Sequence, residues 1–179
     1  GLNESDFPSN IERPSMQARV LEAETVSLFT GHKYDILENK VNHYKITDLI
    51  NIFEMYINKF KPDEIYIPYP SYNQDHRIVY DAALTALRPH DKNYFVKKVL
   101  VYEQPHVFLW DQSHNINGKF NPNYFIPIDI DKKIQAYKLM QTQVRSFRSP
   151  ETLKSMAQLR GQQSNCDYAE AFQTIRWID

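Results

Sequence analysis

Asn73, Asp75 and His76 fall within four positions of one another in the run PSYNQDHRIVYDAALTALRP, Pro70 to Pro89. A carboxylate beside an imidazole is a pair that can accept, pass on or hold a proton, or ligate a cation, and an amide nearby adds a donor and an acceptor. Residue type alone also allows a plainer account, and favours it. Asn73 or Asp75 caps a helix, and His76 is a surface histidine.

The elements that would position these side chains can be read on either side. The apolar run Ile65–Pro68 predicts a buried strand that ends at Pro70 and Ser71. Val79, Ala82, Ala83, Ala86 and Leu87 recur at helical spacing and predict an amphipathic helix after it. The carboxylate and the imidazole then lie at the carboxyl end of a strand and in the first turn of a helix, where open α/β sheets place their ligands. Upstream, a helix is expected from Ser15 to about Phe29, with Val20, Ala23, Val26 and Leu28 toward a core and Gly31 as its stop. Arg19 and Glu22 share a face of that helix, a spacing that also suits a surface ion pair of little energetic worth. Ile36 and Leu37 suggest a short strand. Ile46–Phe60 reads as a second helix, with Leu49, Ile50, Phe53, Tyr56, Ile57 and Phe60 in one stripe and Pro62 ending it. This succession of helix, strand and helix is the kind that builds parallel sheets.

Downstream, Phe95–Glu103 predicts a strand, and Gln104–Pro127 a long irregular tract carrying Trp110, Phe120, Tyr124 and Phe125. Its aromatics suit a sugar-stacking wall and a hydrophobic flap on the core equally well. A helix is expected over Asp129–Val144, another from Ser149 to Arg160 with Gly161 as its stop, and a strand over Tyr168–Trp177.

Composition narrows the function. The 179 residues suit a single domain. Lys and Arg number 21 against 22 Asp and Glu, with no basic cluster to follow a phosphate backbone, so nucleic acid is not an expected partner. The 4 glycines cannot build a dinucleotide fingerprint or a P-loop. Cys166 is the sole cysteine, which excludes an internal disulfide and a cysteine-based zinc site and fits a reducing compartment, the cytoplasm. No apolar run reaches membrane-spanning length, and no signal-peptide pattern opens the sequence, whose first residue is Gly1.

Three segments, in order, resemble the PIG-L or LmbE-like family of zinc-dependent N-acetylglucosaminyl de-N-acetylases. NQDHRIVYDAALTALRP is similar to the family's second motif, a cluster ending in Asp-His and followed by a helix. RSPETLKSMAQLRGQQSNCDYAEAF resembles a C-terminal segment common there, and Arg19, Glu22 and Ala23 look like its first helix. The family opens on a strand followed by His-Pro-Asp-Asp-Glu, which supplies two zinc ligands and the general base. No such string occurs here, and Asn73 stands where many members carry histidine.

The resemblance implies a three-layer, Rossmann-like α/β sandwich with a mostly parallel sheet. It implies that the first unit, roughly 30 residues or the size of one βαβ unit, is absent. It implies Zn²⁺ held by His76 with further ligands from that unit. Asp75 would orient neighbouring groups, Asn73 would face the developing oxyanion, and Arg19 and Arg148 would face the acetyl or sugar end of an N-acetylated substrate. Arg148, Arg160 and Glu170 match family positions, where structural ion pairing is at least as good an account. His32, His43, His90, His106 and His114 show no ligand-pair spacing and are expected to be solvated loop residues. The expected activity is hydrolysis of an N-acetyl amide, with this chain alone inactive. The alternative is a non-catalytic remnant that binds a sugar or a partner, and a nucleotide-sugar module fits less well. The oligomeric state stays open, with self-association allowed for.

Overall fold

In the computed structural model, which describes residues 14–37, 39–105 and 120–179, short polar side chains open most of the helices by accepting a backbone N–H. The donors are Ala18 to Ser15 Oγ at 3.1 Å, Asp75 to Asn73 Oδ1 at 2.9 Å, Asp131 and Lys132 to Asp129 Oδ1 at 3.1 Å, and Thr152 to Ser149 Oγ at 3.2 Å. Each such cap contributes about 1 kcal/mol. In chain order the elements are α1 (Met16–Thr30), α2 (Ile46–Phe60), β1 (Glu64–Pro68), α3 (Gln74–Ala86), β2 (Lys98–Tyr102), β3 (Tyr124–Pro127), α4 (Ile130–Lys138), a 3₁₀ turn (Gln141–Gln143), α5 (Pro150–Gln163) and β4 (Ala169–Trp177).

The described backbone clusters into two compact units. One takes the chain up to His43 together with Pro127–Glu170, and the other takes Tyr44–Ile126 with Ala171–Asp179.

The second unit holds the sheet, in the order β1-β2-β4-β3. The α/β class is the expected one, but the sheet is mixed. β1 and β2, joined through α3, run parallel, with Ile65 opposite Val99 and Ile67 opposite Val101. β4 lies antiparallel to β2. Val99, Leu100 and Val101 are all buried, as an inner strand covered on both faces requires. Ile67, Val99 and Val101 pack with Ile57 of α2 and with Ala83 and Ala86 of α3. The alanines of α3 let that helix lie close: Ala82 is fully buried. On β4, Arg176 donates to the carbonyls of Val96 at 2.8 Å and Leu87 at 2.7 Å, and its guanidinium sits 4.2 Å from the centre of the Phe95 ring. β1 is the terminal strand of the sheet order. Beside it runs an apolar groove of about 330 Å³, lined among others by Phe53, Tyr56 and Phe60 of α2, Ile65 and Tyr66 of β1, and Val79 of α3.

In the first unit, α1 carries no buried residue. Val20, Ala23 and Val26 are half-buried, but Leu28, expected in the core, is 87% exposed. Two positions past Val26, it points about 200° around the helix, off the stripe. Glu22 accepts the N–H of Thr142 at 2.8 Å and its hydroxyl at 2.5 Å. The helix expected to run to Val144 ends at Lys138. Leu139 and Met140 donate to carbonyls three residues back, and the Tyr137 hydroxyl donates to the carbonyls of Gln143 and Arg148.

Other expectations change as well. Ile36 and Leu37 form no strand, since two adjacent apolar residues offer no alternation. Tyr124 and Phe125 lie in β3, not in an irregular tract; the Pro at the end of this four-residue strand hid it. Gly161 lies inside α5 and does not end it. Residues 1–13, His106, Trp110 and His114 lie outside the described residues.

Candidate functional site

The link from β1 to α3 is built inward. Tyr69 and Ser71 are buried, Ser71 to 1% exposure, and the chain turns at Tyr72 before Asn73 opens the helix. Asp75, at 4% exposure, is the acidic residue of the first turn of α3. His76 follows, half-buried, with Nδ1 at 2.9 Å from Ser71 Oγ. That oxygen also receives the Asn73 N–H at 3.3 Å. Arg77 reaches back from α3 and donates from Nη1 to the carbonyls of Ser71 and Tyr72 at 3.0 and 2.5 Å.

Tyr44 joins this group electrostatically. Burial pushes its phenol above the usual tyrosine range, and the negative charge of Asp75 adds to the effect. The phenol therefore stays protonated at neutral pH and keeps its O–H donor.

The structure thus brings Asn73, Asp75 and His76 together in one unit and places Arg19 and Arg148 in the other. Asn73 caps α3, as residue type alone suggested. Arg19 is half-buried on α1. The Arg148 guanidinium lies 5.3 Å from the centre of the Phe147 ring, and its carbonyl accepts the Tyr137 hydroxyl at 2.6 Å. Glu170 accepts from Lys133 Nζ at 2.5 Å in an ion pair. Arg160, 8% exposed, donates to Gln163 Oε1 at 2.8 Å.

Ser71, Arg77 and Tyr44 escaped the sequence reading. Ser71 had a signal, since a hydroxyl two residues before a helix cap is placed to accept a backbone N–H. Nothing in the spacing ties Tyr44 to Asp75.

Among the described residues no three His, Cys, Asp or Glu side chains gather where they could hold a metal ion. His76 and Asp75 provide one imidazole and one carboxylate, which falls short of the three protein ligands of a catalytic zinc. His32 and His43 are exposed, and His90 Nδ1 accepts the Lys92 N–H at 3.0 Å. Also among the described residues, no helix is long and apolar enough to cross a membrane.

No protein-family model matches the sequence, and no curated protein matches it. Solved structures do match. N,N'-diacetylchitobiose deacetylase from Pyrococcus horikoshii is similar at a TM-score of 0.68 and 17% identity, over 94% of this chain and 68% of that one. A deacetylase of the teicoplanin biosynthetic pathway is similar at 0.68 and 18%, over 92% and 73%. GalB, the 4-carboxy-2-hydroxymuconate hydratase of Pseudomonas putida KT2440, is similar at 0.66 and 21%, again over 92% and 73%. The chain has the fold of the LmbE/PIG-L-type deacetylases.

Proposed function

We propose that this protein takes part in hydrolysing the N-acetyl amide of a sugar or sugar conjugate, with the β1–α3 link as its working site. The observation that carries the reading is the buried Asp75 followed by His76 in the first turn of α3, at the end of a strand, on a fold shared with deacetylases. Amide hydrolysis needs an activated water, a group to take its proton and donors for the oxyanion. In this reading His76 is the electron-pair donor of the site, and Asp75 holds neighbouring groups in orientation. Asn73 spends its amide oxygen on the helix cap and offers its NH₂ to the oxyanion. Arg19 and Arg148 bind the acetyl or sugar end.

Zinc belongs to the proposal only with further ligands from an N-terminal unit of the family type joined to this chain, and the 179-residue chain alone is proposed to be inactive. A cytoplasmic setting is likewise proposed, on the single cysteine.

The incomplete donor set supports a second reading, a non-catalytic module that binds a sugar or partner and hydrolyses nothing. Supplied with zinc and a panel of N-acetylglucosamine derivatives, the complete protein should release acetate, a chelator should stop it, and His76→Ala should abolish it. Asp75→Ala should cost about 10- to 100-fold. If no derivative yields acetate, the binding module becomes the better account.

A further inference from the structure

We infer that Ser71 is a positioning residue that sets the tautomer of His76. The inference rests on the proposed role of His76 at the β1–α3 link. A neutral imidazole carries its proton on one ring nitrogen and its lone pair on the other, and the hydrogen bond at the first nitrogen decides which. Ser71 Oγ lies 2.9 Å from Nδ1. The hydroxyl can donate to Nδ1 or accept from it; in the inferred arrangement its two lone pairs take both the Asn73 N–H and the Nδ1–H, and its own O–H turns away from the ring. With Nδ1–H donated to Ser71, the lone pair belongs to Nε2, and His76 presents a base or ligand atom there instead of a second donor.

The surroundings make Ser71 a firm reference point. It is 1% exposed, and both its carbonyl and the next one are held by Arg77, a residue of the helix that carries His76. The hydroxyl is thereby fixed to the same rigid element as the ring it orients. A ring held in one tautomer by a partner of this kind is a recurring arrangement where histidine works as a ligand or base.

Nitrogen NMR of the histidine-labelled protein reads the tautomer directly, without substrate or metal. In the unmodified protein His76 should show the Nδ1–H form. Ser71→Ala should convert it to a mixture of both forms, and Ser71→Thr, which keeps the hydroxyl, should restore the single form. In acetate-release kinetics Ser71→Ala should lower kcat about 10- to 100-fold with little change in KM. The Nε2–H form in the unmodified protein, or an unchanged tautomer in Ser71→Ala, would overturn the assignment, and the first of these needs no variant to fold. Absence of acetate release by the complete protein supplied with zinc would count against the proposed hydrolysis alone, because the NMR result is obtained without it.

Discussion

The side-chain oxygen of Asn73 accepts the backbone N–H of Asp75 at 2.9 Å, so the amide proposed to face an oxyanion is also the cap of the helix that carries the site. The two roles use different atoms and can be separated. Asn73→Ala removes both and should cost about 1 kcal/mol of stability as well as activity. Asn73→Asp keeps the capping oxygen and loses the NH₂ donor, so it should leave the melting temperature close to that of the parent while lowering acetate release. Equal activity in Asn73→Asp and the parent would confine Asn73 to capping.

Alkaline pH should weaken the sheet unit. Burial raises the phenols of Tyr102, Tyr44 and Tyr80 above their usual 10.0, with Asp75 and Asp81 adding to the rise at the last two and a hydrogen bond to Gln104 opposing it at Tyr102. The folded state then holds these protons more tightly than the unfolded chain. The stability they contribute is complete below about pH 10 and is lost as pH climbs through the raised folded values. Urea midpoints should therefore be level up to about pH 10 and fall above it. Tyr102→Phe should make that fall shallower, and a slope unchanged by the substitution would contradict the assignment.

Gly161 and Gly31 are constrained in different ways. A methyl group at Gly161 would lie 2.5 Å from the carbonyl oxygen of Asp167 and 2.6 Å from that of Cys166, both backbone atoms. Gly161→Ala should destabilise by about 1–3 kcal/mol, as overpacking does. Gly31, at φ +76°, has open space around it, so Gly31→Ala meets only the backbone penalty of the left-handed region, about 1–2 kcal/mol. Thermal melts should show a loss for both variants, and Gly31→Asn, which tolerates the left-handed region, should recover most of the loss at that site.

The bounds of α2 follow from its apolar stripe, because period and breaker agree, and β4 follows from its aromatic and β-branched content. Gly161 misled because glycine serves close approach as well as helix termination, and only the backbone of Cys166 and Asp167 decides between them. At the site, Asn73, Asp75 and His76 were legible because they are neighbours in the chain. Tyr44 was not, since its relation to Asp75 exists only in three dimensions.

The outer edge of β1 predicts association. It is the terminal strand of the sheet, bordered by an apolar groove, and its Tyr66 is 43% exposed. Glu64 and Pro68 guard only the ends of this strand, and Ile65–Ile67 between them carry no charge and no bulge. Size-exclusion chromatography of the 179-residue chain should show concentration-dependent association, and Tyr66→Lys should reduce it. A monodisperse monomer at every concentration, unaffected by the substitution, would show that the edge is already protected.

The position of β4 bears on how this molecule is made. It lies between β2 and β3, yet it follows both of them, and every other element, in the chain. A ribosome therefore delivers β1, β2 and β3 before the strand that joins them, and Arg176 arrives on that late strand to take up the carbonyls of Leu87 and Val96. Until then the nascent sheet has an open seam along β2, lined by Val99, Leu100 and Val101, because its partner strand lies far along the chain, Lys98 pairing with Trp177. That interval during synthesis is when the polypeptide is most exposed to wrong pairing and has most to gain from a chaperone.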